Sequence, residues 1–380
     1  MERISPLAAY TFGPEPTPED EALFDRLTTR TLADMQLQRL ATPPAIFADQ
    51  REVLAIHWHT EHVPLSVART RLQALYPNAE ETLVIPTDHN VLHEWDTFAG
   101  VEVDCREDRA SMKVQLLLHF RADKVREAHT LRTMVEHTAR YRILQLEALL
   151  ATASAPRSEI NARHTGHALR ASGMPQEMVD YTAALASKLL ALLAAKGDAC
   201  PRDEHMSPLL RDFINGLRPT IGSPLADQLL AYTKGLRDSV KGSFPLSYFH
   251  SAHDFIEETR ALGGCFIIPH PEQFWPVLMA GYDADGLEVW NPQSRRYTDL
   301  LIDAVRRDNA HRADRLPQLV TMGDDTHLGE HVRPATEPHA PMRELGQQPG
   351  WTTPATAKLL EAASMSRLRV IREYRDRLLG

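Results

Sequence analysis

The chain has 380 residues, 43% of them hydrophobic and 24% charged, and a formal net charge of −9. That composition excludes the disordered and membrane-embedded classes. The acidic balance disfavours a broad basic surface for wrapping nucleic acid, because such binding rests on Lys and Arg neutralising phosphates. Cys105, Cys200 and Cys265 stand far apart and form no C-x-x-C pair, so neither a disulfide framework nor a cysteine zinc site is indicated. A reducing cytoplasm fits best. The opening lacks the apolar region of a signal peptide, and the apolar run at 189–195 is too short to cross a bilayer, so no targeting or membrane segment is expected.

Taken in order, 1–50 reads as an N-terminal helical extension. Thr17-Pro18-Glu19-Asp20 has the form of an N-cap with proline at the first helical position, which predicts a helix over 19–40 packed on the main domain. The stretch 53–62, VLAIHWHTEH, reads as an apolar strand at 53–56 that delivers His57, His59 and Glu61 at two-residue steps, on one face if the strand continues. Apolar residues at Leu65, Ala68, Leu72 and Leu75 have a helical period. A second strand at 82–86 runs into His89. A third at 100–104, GVEVD, sets Glu102 and Asp104 opposite Val101 and Val103. A fourth at 113–120, KVQLLLHF, is nearly continuously apolar and carries His119 at its end.

From about 123 to 260 the chain reads as five or six helices punctuated by Gly and Pro, an insertion between strands four and five. Strand five at 264–269 runs into His270. Strand six is 286–290, GLEVW, and strand seven, 317–322, opens into Asp325 and His327. The residues beyond 330 read as an irregular linker to 354 and a closing amphipathic helix over 355–379.

Imidazoles and carboxylates gathered at strand ends are the ligand types that borderline divalent metals take. The candidates are His57, His59, Glu61, His89, Glu102, His119, His270, Asp325 and His327. Parallel barrels collect their active sites at the carboxyl ends of their strands. Asp88 and Asp324, beside ligands, read as residues that orient them or shape turns.

The pattern resembles the polymerase and histidinol phosphatase superfamily, the PHP phosphoesterases. The motifs that carry the likeness are HWHT at 57–60, TDHN at 87–90, GVEVD at 100–104, LLLHF at 116–120, IPHP at 268–271 and GDDTHLGE at 323–330. The resemblance implies a distorted (β/α)7 TIM-like barrel over 51–330, an α/β fold consistent with the seven strands read above. It also implies two or three divalent ions, Mn, Zn or Fe. His57, His59, Glu102 and Asp325 would hold the first, with Glu102 bridging to a second held by His119 and His270. His89 and His327 would hold a third. The family's acid for that ion falls where Pro64 stands here, and Glu61 is the substitute.

The expected chemistry is hydrolysis of a small phosphate ester, a phosphorylated metabolite or nucleotide, by a metal-activated water. The competing expectations are a 3′–5′ exonuclease on short single strands and a non-catalytic regulatory barrel.

Overall fold

The computed structural model describes residues 12–201, 203, 206–312, 315–332 and 343–380. They fall into two compact units. One is helical and comprises 140–245 with the N-terminal residues to Thr31; the other, the sheet unit, comprises 32–139 and 246–380.

The helical unit contains helices Tyr141–Ser154, Ala162–Ser172, Glu177–Lys196, Leu209–Gly216 and Ser223–Gly242 among its described residues. The expected N-terminal helix over 19–40 is two helices. Pro18–Thr28, with Thr17 and Asp20 in a reciprocal capping box, belongs to the helical unit and not to the main domain; its Leu23 and Phe24 enter that unit's core with Leu189 and Phe213. Asp34–Ala41 belongs to the sheet unit. The break falls at Thr29, whose backbone is extended.

Helix Glu177–Lys196 is long and apolar enough to cross a membrane, well beyond the short run seen in the sequence; half of its most apolar window is buried inside the protein. Its buried Lys188 donates to the equally buried Asp20 at 2.6 Å.

Among its described residues the sheet unit holds ten strands: β1 Glu52–Ala55, β2 Trp58–His59, β3 Glu81–Val84, β4 His93–Trp95, β5 Phe98–Glu107, β6 Met112–Arg121, β7 Cys265–Ile268, β8 Gly286–Trp290, β9 Leu319–Met322 and β10 Thr326–His327. They form a six-stranded sheet in the order β4-β5-β6-β7-β8-β9 and two parallel pairs, β1 with β3 and β2 with β10. Among the described residues no sheet closes, and the (β/α)7 barrel expected from the sequence is not the fold of this protein.

The reason lies in the connections. Parallel neighbours need a crossover of a dozen or more residues, and only four residues, 108–111, separate β5 from β6. The two therefore pair antiparallel along their whole length, Phe98 with Arg121 through Glu107 with Met112. Glu107 Oε2 accepts from the Arg109 and Ala110 amides and closes that turn. Asp96-Thr97 makes another tight reversal between β4 and β5, with Asp96 in the left-handed region. Only β7, β8 and β9 pair parallel within the large sheet, where helices Trp275–Met279 and Thr298–His311 supply the crossovers.

The long strands β5 and β6 are buried nearly throughout, and Leu116, Leu118, Phe120, Phe266 and Val320 share one core with Val370 and Tyr374 of the last helix. That C-terminal segment is also two helices, Pro354–Ala362 and Arg367–Leu379, parted where Ser364 turns left-handed and Ser366 caps the second. Of the linker expected over 331–354, residues 333–342 lie outside the described residues.

A candidate metal centre

The site is assembled around Glu102, in the middle of β5 and fully buried. Its Oε2 lies 2.6 Å from His89 Nδ1 and 3.7 Å from His59 Nε2; its Oε1 lies 3.3 Å from His270 Nε2 and 3.8 Å from His57 Nε2. Asp325 adds a second carboxylate, with Oδ1 3.3 Å from His59 Nε2, 3.4 Å from His327 Nε2 and 3.8 Å from His57 Nε2. Among the described residues two triads have ligand atoms all within 4.8 Å of one another, His57-His59-Glu102 and His59-His89-His327, and either could hold a metal ion. The His59 ring is stacked between His89 and His327, with centroids 4.4 and 4.2 Å away.

The backbone reaches this arrangement by leaving regular structure. β1 ends at Ala55 and only Trp58–His59 resumes as β2, pairing with β10 and so setting His59 beside His327. Glu61 does not arrive by strand alternation. It sits in the left-handed region (φ 54°), and that turn brings its Oε1 to 2.9 Å from His327 Nδ1. Asp88 braces the turn, accepting from the Glu61 amide at 3.1 Å and the Thr60 hydroxyl at 2.6 Å. His270 (φ 26°) and Asp325 (φ 49°) also have positive φ. A non-glycine residue held there costs about 1–3 kcal/mol, and such residues gather where geometry serves a site.

Charge is distributed accordingly. Burial alone would raise the Glu102 and Asp325 carboxyls, but the surrounding imidazoles hold both well below the usual range. Burial pulls the His57 ring down, yet Glu288 prevails and raises it to about 10. Burial also opposes protonation of His327, which Asp325 and Glu61 raise to about 10. His59, desolvated and beside His327 and His89, is lowered to about 3 and stays neutral. Burial dominates at Asp324 and lifts it to about 7; this residue faces the Gly346 amide and the Gln348 side chain, as a turn-shaping acid.

Two ring nitrogens that face these carboxylates, His57 Nε2 and His59 Nε2, are buried without a hydrogen-bond partner. Buried polar atoms are ordinarily paired, and imidazole nitrogens set beside ionised carboxylates suit a cation that accepts nitrogen and oxygen donors, which would displace the ring proton of His57.

His119 departs from its expected role. Its Nε2 lies 3.0 Å from the Ile56 carbonyl, to which it donates, and its Nδ1 lies 2.8 Å from the Tyr374 hydroxyl, from which it accepts. Both ring nitrogens are taken, and burial lowers the ring to about 3. It is a neutral bridge between the end of β1 and the last helix, not a ligand. The other eight candidates come together.

Three contributors went unread in the sequence. Glu288 Oε2 lies 2.7 Å from His57 Nδ1, while its Oε1 accepts from the His270 amide and the Asn291 side chain. A signal for it existed, since GLEVW carries its acid mid-strand as GVEVD does. Gln293 and Arg343 hold Asp325 Oδ2 at 2.7 and 3.0 Å. Arg343 lies beyond the last predicted strand, and no pattern in the chain marks it.

No family model, characterised protein or solved structure matches this chain.

Proposed function

We propose that this protein is a metal-dependent phosphoesterase that hydrolyses a small phosphate ester, a phosphorylated metabolite or a nucleotide. The observation that carries the reading is Glu102, one fully buried carboxylate within 3.8 Å of ring nitrogens from four histidines, with Asp325 against three of the same cluster's imidazoles. The likeness of the five motifs around these residues to the PHP phosphoesterases supports it. His57, His59, Glu102 and Asp325 would hold one divalent ion, Glu102 and His270 a second, and Glu61, His89 and His327 a third, with manganese, zinc and iron the metals that suit such donors.

Bound divalent ions cancel the charge of a phosphate ester and acidify the attacking water. The chain's own residues hold the geometry in which that can happen. Glu288 takes His57 Nδ1 and so leaves Nε2 aimed at Glu102. Asp88 fixes the turn that presents Glu61. Gln293 and Arg343 occupy one Asp325 oxygen and leave the other toward the histidines. No side-chain nucleophile is called for. With Cys105, Cys200 and Cys265 all buried thiols, a reducing cytoplasm is the compartment we assign.

The test is metal analysis of the purified protein, followed by phosphate release from a panel of phosphomonoesters with added manganese. Turnover on the panel supports the proposal. Shortening of single-stranded oligonucleotides without turnover of small esters would replace it with an exonuclease, and bound metal with neither activity would replace it with a regulatory role.

A further inference from the structure

The helical unit contains a cavity of about 350 Å³ that the metal chemistry does not use. Helix Ser223–Gly242 turns Leu230, Thr233, Lys234 and Arg237 toward it, spaced i, i+3, i+4 and i+7 on one face. A face with that period ordinarily packs as an apolar stripe; here it carries two cations and a hydroxyl. Arg211, from helix Leu209–Gly216, adds a third cation, and Leu149 and Leu210 extend the apolar lining.

Two of these side chains have polar atoms with no partner. Thr233 is only 5% exposed, and its hydroxyl is buried without a hydrogen bond; one turn along, Arg237 Nε is buried in the same condition. The cations do have neighbouring carboxylates. Lys234 Nζ lies 2.8 Å and Arg237 Nη2 3.4 Å from Asp238, and Arg211 Nε lies 2.8 Å from Asp212. Neither acid is among the residues that line the cavity. Lys234 and Arg211 are half or more exposed, whereas Thr233 is buried. Charge therefore stands at the rim and the hydroxyl stands deeper.

We propose that this cavity binds a small organic anion with an apolar body. The leucines would take the body, as ligand pockets of a few hundred Å³ do with mostly apolar walls and a few polar groups. Arg237, with Lys234 and Arg211, would take the anionic head at the rim through charge-assisted hydrogen bonds. Arginine's planar fork suits a carboxylate, sulfonate or phosphate head. The site is independent of the metal centre: all of its lining residues lie in 149–237, none of which contributes to that cluster.

The experiment is isothermal titration calorimetry on the full chain with 1-octanesulfonate, a poor metal ligand, against octanol and inorganic sulfate as body-only and charge-only controls. One site is expected, with octanesulfonate bound about tenfold or more tighter than either control. Arg237→Leu and, separately, Arg211→Met should each weaken it about tenfold, with circular dichroism and metal content unchanged. Octanol binding as tightly as octanesulfonate would reduce the cavity to an apolar void. Binding that survives both substitutions, or no binding at all, would overturn the assignment.

Discussion

Glu288 Oε2 and His57 Nδ1 lie 2.7 Å apart, a fully buried contact between β8 and the residue two past the end of β1. This carboxylate fixes which nitrogen of His57 faces Glu102, and a Cβ on Gly323 would collide with it, so the close packing there depends on a glycine. Glu288→Gln keeps the shape and removes the charge. Metal affinity should fall about 10–100-fold, the usual effect of losing a group that orients a ligand, and titration of the apoprotein with manganese measures it. Unchanged affinity would mean that His57 does not ligate through Nε2.

Glu102→Ala removes the carboxylate on which four histidines converge. Phosphoester hydrolysis should fall about a thousandfold or more, since several kcal/mol of charge stabilisation is lost at about 1.4 kcal/mol per decade. Metal content should drop with it. The fold should persist, because the core is made by apolar residues such as Leu116, Leu118, Phe266 and Val320. Activity within tenfold of wild type at full metal content would remove Glu102 from the site.

His119→Phe separates a structural histidine from a ligand. It strands the Ile56 carbonyl and the Tyr374 hydroxyl, two buried groups that now bond to the ring. Stability to urea should fall by about 1–3 kcal/mol per group left unpaired, while metal content and activity per folded molecule stay at the wild-type level. Loss of a metal equivalent in this variant would restore His119 as a ligand.

Lys188→Met tests the buried ion pair of the helical unit. Lys188 and Asp20 are both fully buried and 2.6 Å apart, and removing one partner leaves a charge in the core at a cost of about 3–5 kcal/mol. Denaturant unfolding should show that loss. The double variant Asp20→Asn, Lys188→Met should recover part of it, because no uncompensated charge remains. Equal losses in single and double variants would show that packing, and not charge, dominates at this position.

Much of the secondary structure was legible from local pattern. β8 matches its prediction over 286–290 residue for residue, and β6, β7 and β9 lie within two residues of theirs. The Thr17 cap formed as its sequence indicates. What misled was topology: seven strands with ligands at their ends suggested a parallel barrel, although the short gap between β5 and β6 already forbade a crossover there. The helix breaks at Thr29 and Ser364 were equally hidden, because a single left-handed or extended residue leaves the apolar period around it almost intact.

By itself the sequence determined which residue types could hold a metal and roughly where along the chain they stand, because ligand chemistry belongs to the side chain and strand ends follow from hydrophobic pattern. Tertiary structure alone decided which of them meet. His119 has the residue type and the strand position of a ligand, yet the helix Arg367–Leu379, more than two hundred residues away, brings Tyr374 to one nitrogen while the Ile56 carbonyl takes the other. Arg343 shows the converse, with no local signal but a guanidinium 3.0 Å from Asp325. A lone pair is available to a metal only if no nearer donor claims it, and that competition is settled by contacts between distant segments that no local pattern encodes.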